Sequence, residues 1–170
     1  VAASNPNVSG ESTTVQSGSV INDPLQNLSS IQQTVIYTVT PTSNDANTCV
    51  GNPFTVTVTV DPEPVGTDDA ANGCSDVAIN YNLQDNIISS GNGVLSTFVW
   101  EEQVPYNSNV TGASQTPQSG TTITDVITNP TTTDQVVVYT VTPTSLSIFG
   151  SCEGDSFEIT VTVSPEPDAI

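Results

Sequence analysis

The sequence predicts an all-β chain of tandem β-sandwich modules, and three observations predict it. The segment YTVTPTS occurs twice, at residues 37–43 and 139–145. Each copy runs through a Cys-x-Gly loop into a Thr/Val strand and a Pro-Glu-Pro tripeptide, with residues 49–64 matching 152–167 at an offset of 103, against 102 for the first pair. The single inserted residue falls in the loop before the cysteine, where it leaves strand register intact. Apolar residues then alternate strictly with Thr in several segments, the period of half-buried strands. Finally, the segments between are dense in Gly, Asn, Ser and Pro, the residues that supply turns.

Taken in order, Val35, Tyr37 and Val39 are expected to face a core, followed by Phe54, Val56, Val58 and Val60 in the next strand. Pro41 should end the first of these strands by removing a ladder donor. The junction DPEPVGTDD at 61–69 reads as a short, semi-rigid linker. Strands follow at 77–83, 95–101 and 121–127. No stretch carries a convincing helical period, and residues 85–89 make one short turn at most. The closing hairpin repeats the first, with Val137, Tyr139 and Val141 against Phe157, Ile159, Val161 and Val163, and with Pro143 at the strand end. About seven strands per 100 residues with Trp100 in a central strand is the pattern of an Ig-like sandwich. The expected core therefore includes Trp100, Tyr37, Tyr139, Phe54 and Phe157.

The match extends upstream, since NVSG at 7–10 aligns with NVTG at 109–112. The expected division is residues 1–64, the C-terminal part of one repeat whose opening strands are missing, and 65–170, one complete repeat. Neighbouring repeats of the same chain are the first partners to expect, strung as an extended rod.

Charge excludes whole classes of function. The chain has 18 carboxylates and no Lys, Arg or His, so the cations that bind phosphate are missing and nucleic acid is not a partner. No apolar run is long enough for a transmembrane helix. Without His or Lys the usual general bases and nucleophile activators are absent. Glu101 and Glu102 are adjacent on a strand and point to opposite faces, so they cannot flank one bond. No catalytic residues and no enzyme are expected.

The repeat assigns the cysteines. Cys49 and Cys152 are equivalent, which pairs Cys152 with Cys74 as a disulfide and leaves Cys49 orphaned; three reduced thiols are the alternative. The bridge would close a loop of nearly 80 residues, worth roughly 3 to 4 kcal/mol. Asp61, Glu63, Asp68 and Asp69 at the junction offer oxygen ligands to Ca²⁺, with a solvated acidic linker as the alternative. No other cofactor is implied. Asn-x-Ser/Thr triplets stand at Asn7, Asn27 and Asn109.

The string VVYTVTPTS…C-x-G-x-x-F-x-V/I-T-V-T-V-x-P-x-P resembles the PKD-like, Ig-like repeats of very large cell-surface adhesins of the Bacteroidota, including SprB-type gliding-motility adhesins. The resemblance implies export by type IX secretion, an extracellular, cell-surface location peripheral to the outer membrane, and display as filaments. It implies no catalytic residues. The expected role is a stalk or spacer for surface attachment or gliding motility. The alternative is a module binding extracellular polysaccharide or surfaces through loops at 107–119 or 146–151, for which Tyr81, Tyr106 and Phe149 are the available aromatic platforms.

Overall fold

The computed structural model of the chain describes residues 1–146, 148 and 150–167. They fall into two compact units, Val1–Pro62 and Glu63–Ile170.

In the first unit, β1 (Val8–Ser9) pairs with β2 (Gln26–Asn27), and β3 (Gln33–Val39) pairs antiparallel with β4 (Phe54–Val60). The β3–β4 register sets Val35 opposite Val58 and Tyr37 opposite Val56, so the alternating apolar residues share one face. Val35 and Tyr37 are buried with Ala2 and Val8. Phe54, expected in the core, is 51% exposed. Its equivalent Phe157 is buried because Gly66 lies on its ring, where a Cβ would come within 2.3 Å. The first unit contains no such cover for Phe54 among the described residues.

The second unit is a two-layered sandwich. Its elements are β5 (Asp69–Cys74), β6 (Tyr81–Asn82), α1 (Leu83–Ser89), β7 (Ser96–Glu102), β8 (Gln118–Ser119), β9 (Thr122–Ile123), β10 (Gln135–Ser145) and β11 (Phe157–Ser164). One sheet has the order β5-β11-β10-β7-β8. All its neighbours are antiparallel except β5 and β11, which are parallel. The other layer is the β6–β9 pair with bridges Ala78–Val126 and Thr111–Thr128 beside it, and α1. Tyr139, Val141, Ile159 and Val161 pack with Leu83, Ile87, Ile123 and Ile127 in one core, along with Trp100 and Phe157.

Three expectations are corrected here. The strands expected at 77–83 and 121–127 shrink to two-residue strands and isolated bridges. The seven residues of α1 form a helix where a single turn was expected. Asn82 caps it by accepting from the Gln84 N–H, and Leu83, Asn86 and Ile87 are buried at helical spacing. The third correction is Pro143, which does not end β10 but pairs with Phe98 inside it. Its carbonyl accepts from Gly154 N–H, and N and O of one strand residue face the same edge. The missing N–H therefore points at the Cys152–Gly154 loop rather than at β7, and no ladder bond is lost.

The NVSG and NVTG motifs have a backbone cause. Gly10 and Gly112 adopt φ of +88° and +93°, and a Cβ would lie 2.0 Å from Pro24 O and 2.1 Å from Val126 O. Gly112→Ala combines left-handed strain with a backbone clash, and is expected to cost about 2 kcal/mol or more in urea denaturation.

Candidate functional site

A carboxylate node recurs in both units. In the first, Asp23 accepts from the Ser12 N–H (2.6 Å), the Ser12 hydroxyl (2.6 Å) and the Tyr37 hydroxyl (2.6 Å). In the second, Asp125 accepts from the Ser114 N–H (2.6 Å), the Ser114 hydroxyl (2.9 Å) and the Tyr139 hydroxyl (2.7 Å). The node pins a loop to the central strand. Two asparagines in each unit do the same elsewhere: Asn5 donates to Gln33 and Thr34 O as Asn107 does to Gln135 and Val136 O. Asn27 donates to Val60 O and Ile31 O as Asn129 does to Val163 O and Thr133 O. Thus the Asn27 triplet is a structural clasp whose amide is already used. All these residues obey the offsets that align the two hairpins, which is the signal that would have found them.

The hydroxyl of Tyr139 is held protonated, its pKa raised first by burial and then by Asp125. This node presents no accessible nucleophile, and its chemistry is that of a clamp. Asp23 is held below the usual carboxylate value by the Ser12 hydroxyl, then the Tyr37 hydroxyl, then the Ser12 N–H. Asp69 is likewise lowered, by the Tyr81 hydroxyl and then the Ala70 N–H. Burial, followed by these carboxylates, pushes Tyr37 and Tyr81 up to about 12. The lowered carboxylates contribute stability that is present above about pH 4 and lost as pH falls through their folded values. The raised phenols contribute stability present below about pH 10 and lost as pH rises toward 12. With no histidine in the chain, the melting temperature is expected to be flat between about pH 5 and 9 and to fall on both sides.

The two ends of the second unit are stitched by side chains. At the entry end the segment expected as a linker is laid over α1. Asn92 donates to Glu63 O and accepts from Val65 N–H, and the Ser90 hydroxyl donates to Val65 O. Buried Asn86 exchanges two bonds with the Thr67 backbone, at 2.9 and 3.0 Å, and donates to the Tyr81 hydroxyl. Asp69 then opens β5 rather than closing a linker. At the exit end Ser75 N–H donates to Ser164 O, and the Ser75 hydroxyl accepts from Asn129 N–H. An open cleft of about 660 Å³ lies there, lined by Ser75, Asp76, Thr128, Asn129, Pro165 and Glu166 among others. It contains no aromatic face on which a sugar could stack.

The acidic residues named for calcium have other roles. Asp61, in the first unit, accepts from Gln32 Nε2 (2.7 Å). Within the second, Asp68 accepts from Glu158 N–H (2.8 Å) and Asp69 from Tyr81 (2.6 Å), while Glu63 contributes its carbonyl to Asn92. Among the described residues no three Asp, Glu or Cys groups converge on a point that could hold a metal ion.

The expected Cys74–Cys152 disulfide is not formed. Cys74 ends β5 beside Ser164, the last residue of β11. Cys152 lies beyond the opposite end of β11, its carbonyl accepting from Ser145 N–H. The strand between has eight residues, so the two Cα atoms stand on the order of 20 Å apart, against less than 7 Å for a disulfide. Repeat equivalence identifies which cysteines correspond, not which meet. Cys49 and Cys74 are exposed and Cys152 half-buried.

Of the aromatic platforms, Tyr81 is bonded to Asp69 and Asn86, and Tyr106 is exposed with its hydroxyl donating to Gln115 O. Phe149 lies outside the described residues.

With the two-unit β architecture in view, a family model described as PKD-like domain matches residues 1–64 and 71–167. The chain belongs to the PKD-like domain family. PKD-like domains are non-catalytic modules, typically extracellular. No curated protein matches this PKD-like chain. Among its described residues no helix is long and apolar enough to cross a membrane.

Proposed function

We propose that this PKD-like chain is a spacer, a stalk repeat of a large secreted cell-surface adhesin filament used for surface attachment or gliding motility. The observation that carries the reading is the pairing of the first and last strands of the second unit. β5 and β11 are parallel neighbours over six residue pairs, from Asp69 beside Ile159 to Cys74 beside Ser164. The chain enters this unit beside Gly154 and Phe157, at the start of β11, and leaves beyond Ser164 at its other end. Tension applied through the two ends therefore loads the β5–β11 bonds together, in shear, instead of opening them one at a time. Repeats strung end to end in this way give reach and transmit force, which a stalk requires and a ligand-binding tip does not. The acidic surface, without a single Lys or Arg, keeps such a filament soluble outside the cell.

Single-molecule stretching of the 170-residue chain tests the reading. The second unit should unfold in one step, releasing about 35 nm for roughly 100 residues at up to 3.6 Å each. Proline is then placed at Ala71 or, separately, at Asn72. Adjacent strand residues face opposite edges, so one variant removes a donor to β11 and should lower the unfolding force more than the other. Equal force for both variants and the parent removes the support for a shear-loaded stalk. Melting in millimolar calcium is expected to be unchanged, because among the described residues no three acidic groups converge to hold the ion; a stabilising shift would show that the folded chain binds the cation.

A further inference from the structure

We propose that a small pocket at the end of β7, with Glu102 in its wall, is a receptor for a lysine side chain presented by another polypeptide. Glu102 is the one buried carboxylate among the described residues, 3% exposed. Strand alternation turns it inward with Phe98 and Trp100, opposite Tyr139 on β10. Two neutral donors meet it, the Asn107 N–H on Oε1 (3.0 Å) and the Gln115 side-chain amide on Oε2 (3.1 Å). A buried carboxylate is ordinarily paired with a cation, because neutral donors offset only part of its desolvation. This chain has no Lys, Arg or His side chain to supply one, so a partnering side chain can come only from outside.

Space for it lies alongside. A cavity of about 80 Å³ is lined by Glu102, Val104, Pro105, Asn107, Val136 and Val138 among others. Its backbone is fixed in advance: Gln103 N–H donates to Val138 O (2.7 Å), and the Asn107 side chain donates to Val136 O (2.9 Å). Its apolar rim is open, since Val104 is 69% and Val136 46% exposed. Exposed Tyr106 follows Pro105, with its hydroxyl donating to the carbonyl of Gln115, the residue whose side chain holds Glu102. An occupant matched to these walls carries a positive charge at the tip of an apolar stem. Lysine does so, its methylenes lying along Val104 and Val136 while its ammonium reaches the carboxylate. The small cavity and the engaged carboxylate favour a compact ammonium over the planar guanidinium fork, which needs both oxygens clear in one plane. A metal ion suits the pocket less, because among the described residues no three Asp, Glu or Cys groups converge. The net charge of -18 attracts basic partners over the whole surface, and the pocket gives that attraction a defined seat.

Nuclear magnetic resonance of the isotope-labelled 170-residue chain tests the proposal, with a blocked Gly-Lys-Gly tripeptide as the probe. Titration should shift the Asn107 amide and the Gln115 side-chain amide, both bonded to Glu102, together with the amides of Val136 and Val138. The same peptide with its lysine acetylated keeps the stem and loses the charge, and should bind about tenfold more weakly or worse. Glu102→Gln should lose a similar factor. Glu101→Gln removes the same charge one residue away on the opposite face of β7, and should change the affinity by less than about twofold. Equal losses for the two glutamates would mean diffuse attraction to an acidic surface and would overturn the proposal. So would equal binding of the lysine and acetyl-lysine peptides, or titration without shifts at these amides. The peptide pair puts the question to the unaltered chain, so the test holds even if Glu102→Gln does not fold.

Discussion

Truncation of Trp100 to alanine is expected to lower the stability of the second unit by about 4 kcal/mol. The indole is 4% exposed and meets Tyr139 edge-on, with ring centroids 5.7 Å apart and planes at 85°. Its position on β7 sets it opposite Val141 on β10 and Gln118 on β8, so the cavity would open inside the five-stranded sheet's own core face. Rigid backbone on both sides limits the collapse that would otherwise soften the loss. The indole N–H is buried without a hydrogen-bond partner, which separates two contributions. Trp100→Phe removes no hydrogen bond and keeps an aromatic edge for Tyr139, so it should cost only about 1 to 2 kcal/mol. Urea denaturation followed by far-UV circular dichroism measures both, since the chain's one tryptophan is the residue replaced. A loss under about 1 kcal/mol for the alanine variant would mean that the ring is not part of the core.

Strands with strict alternation were legible from the sequence because burial on one face writes itself into every second residue. β3, β4, β10 and β11 all show it. β5 does not: DAANGC has no apolar alternation, and its pairing depends on a partner strand about 90 residues later in the chain. α1 was obscured by Asn86, a polar residue in a buried slot whose use is to hold the Thr67 backbone rather than to pack. Phe54 and Phe157 are indistinguishable in pattern, yet only one is covered, because cover comes from a different segment of the fold. The carboxylate nodes were visible as matched positions, but a carboxylate that serves three neutral donors leaves no charge partner in the sequence to mark it. The cysteines show the converse, where a matched pattern suggested a contact that strand direction forbids.

Replacing Asp125 with alanine is expected to cost about 3 kcal/mol in the second unit. The carboxylate satisfies the Ser114 N–H, the Ser114 hydroxyl and the Tyr139 hydroxyl. Tyr139 is fully buried, so its hydroxyl would be left without its acceptor where water cannot replace it, and a buried donor left so costs on the order of 1 to 3 kcal/mol. The Ser114 hydroxyl can rotate and recover part of its loss, whereas its N–H is fixed by the backbone. Asp125→Asn separates charge from shape. Its carbonyl oxygen in the place of Oδ2 still accepts from both the Tyr139 hydroxyl and the Ser114 N–H, while its amide group meets only the Ser114 hydroxyl, which must turn to accept, so an intermediate loss of about 1 to 2 kcal/mol is expected. Tyr139→Phe, which removes the donor along with its need, should be milder than Asp125→Ala, because no buried polar group is stranded on the tyrosine side. Denaturation monitored by Trp100 fluorescence reads this unit selectively, since the tryptophan lies in its core. If Asp125→Ala and Tyr139→Phe cost the same, the node is not clamping through the stranded hydroxyl. A larger loss for Asp125→Ala instead makes the carboxylate a pin that a chain without lysine, arginine or histidine uses where an ion pair would otherwise serve.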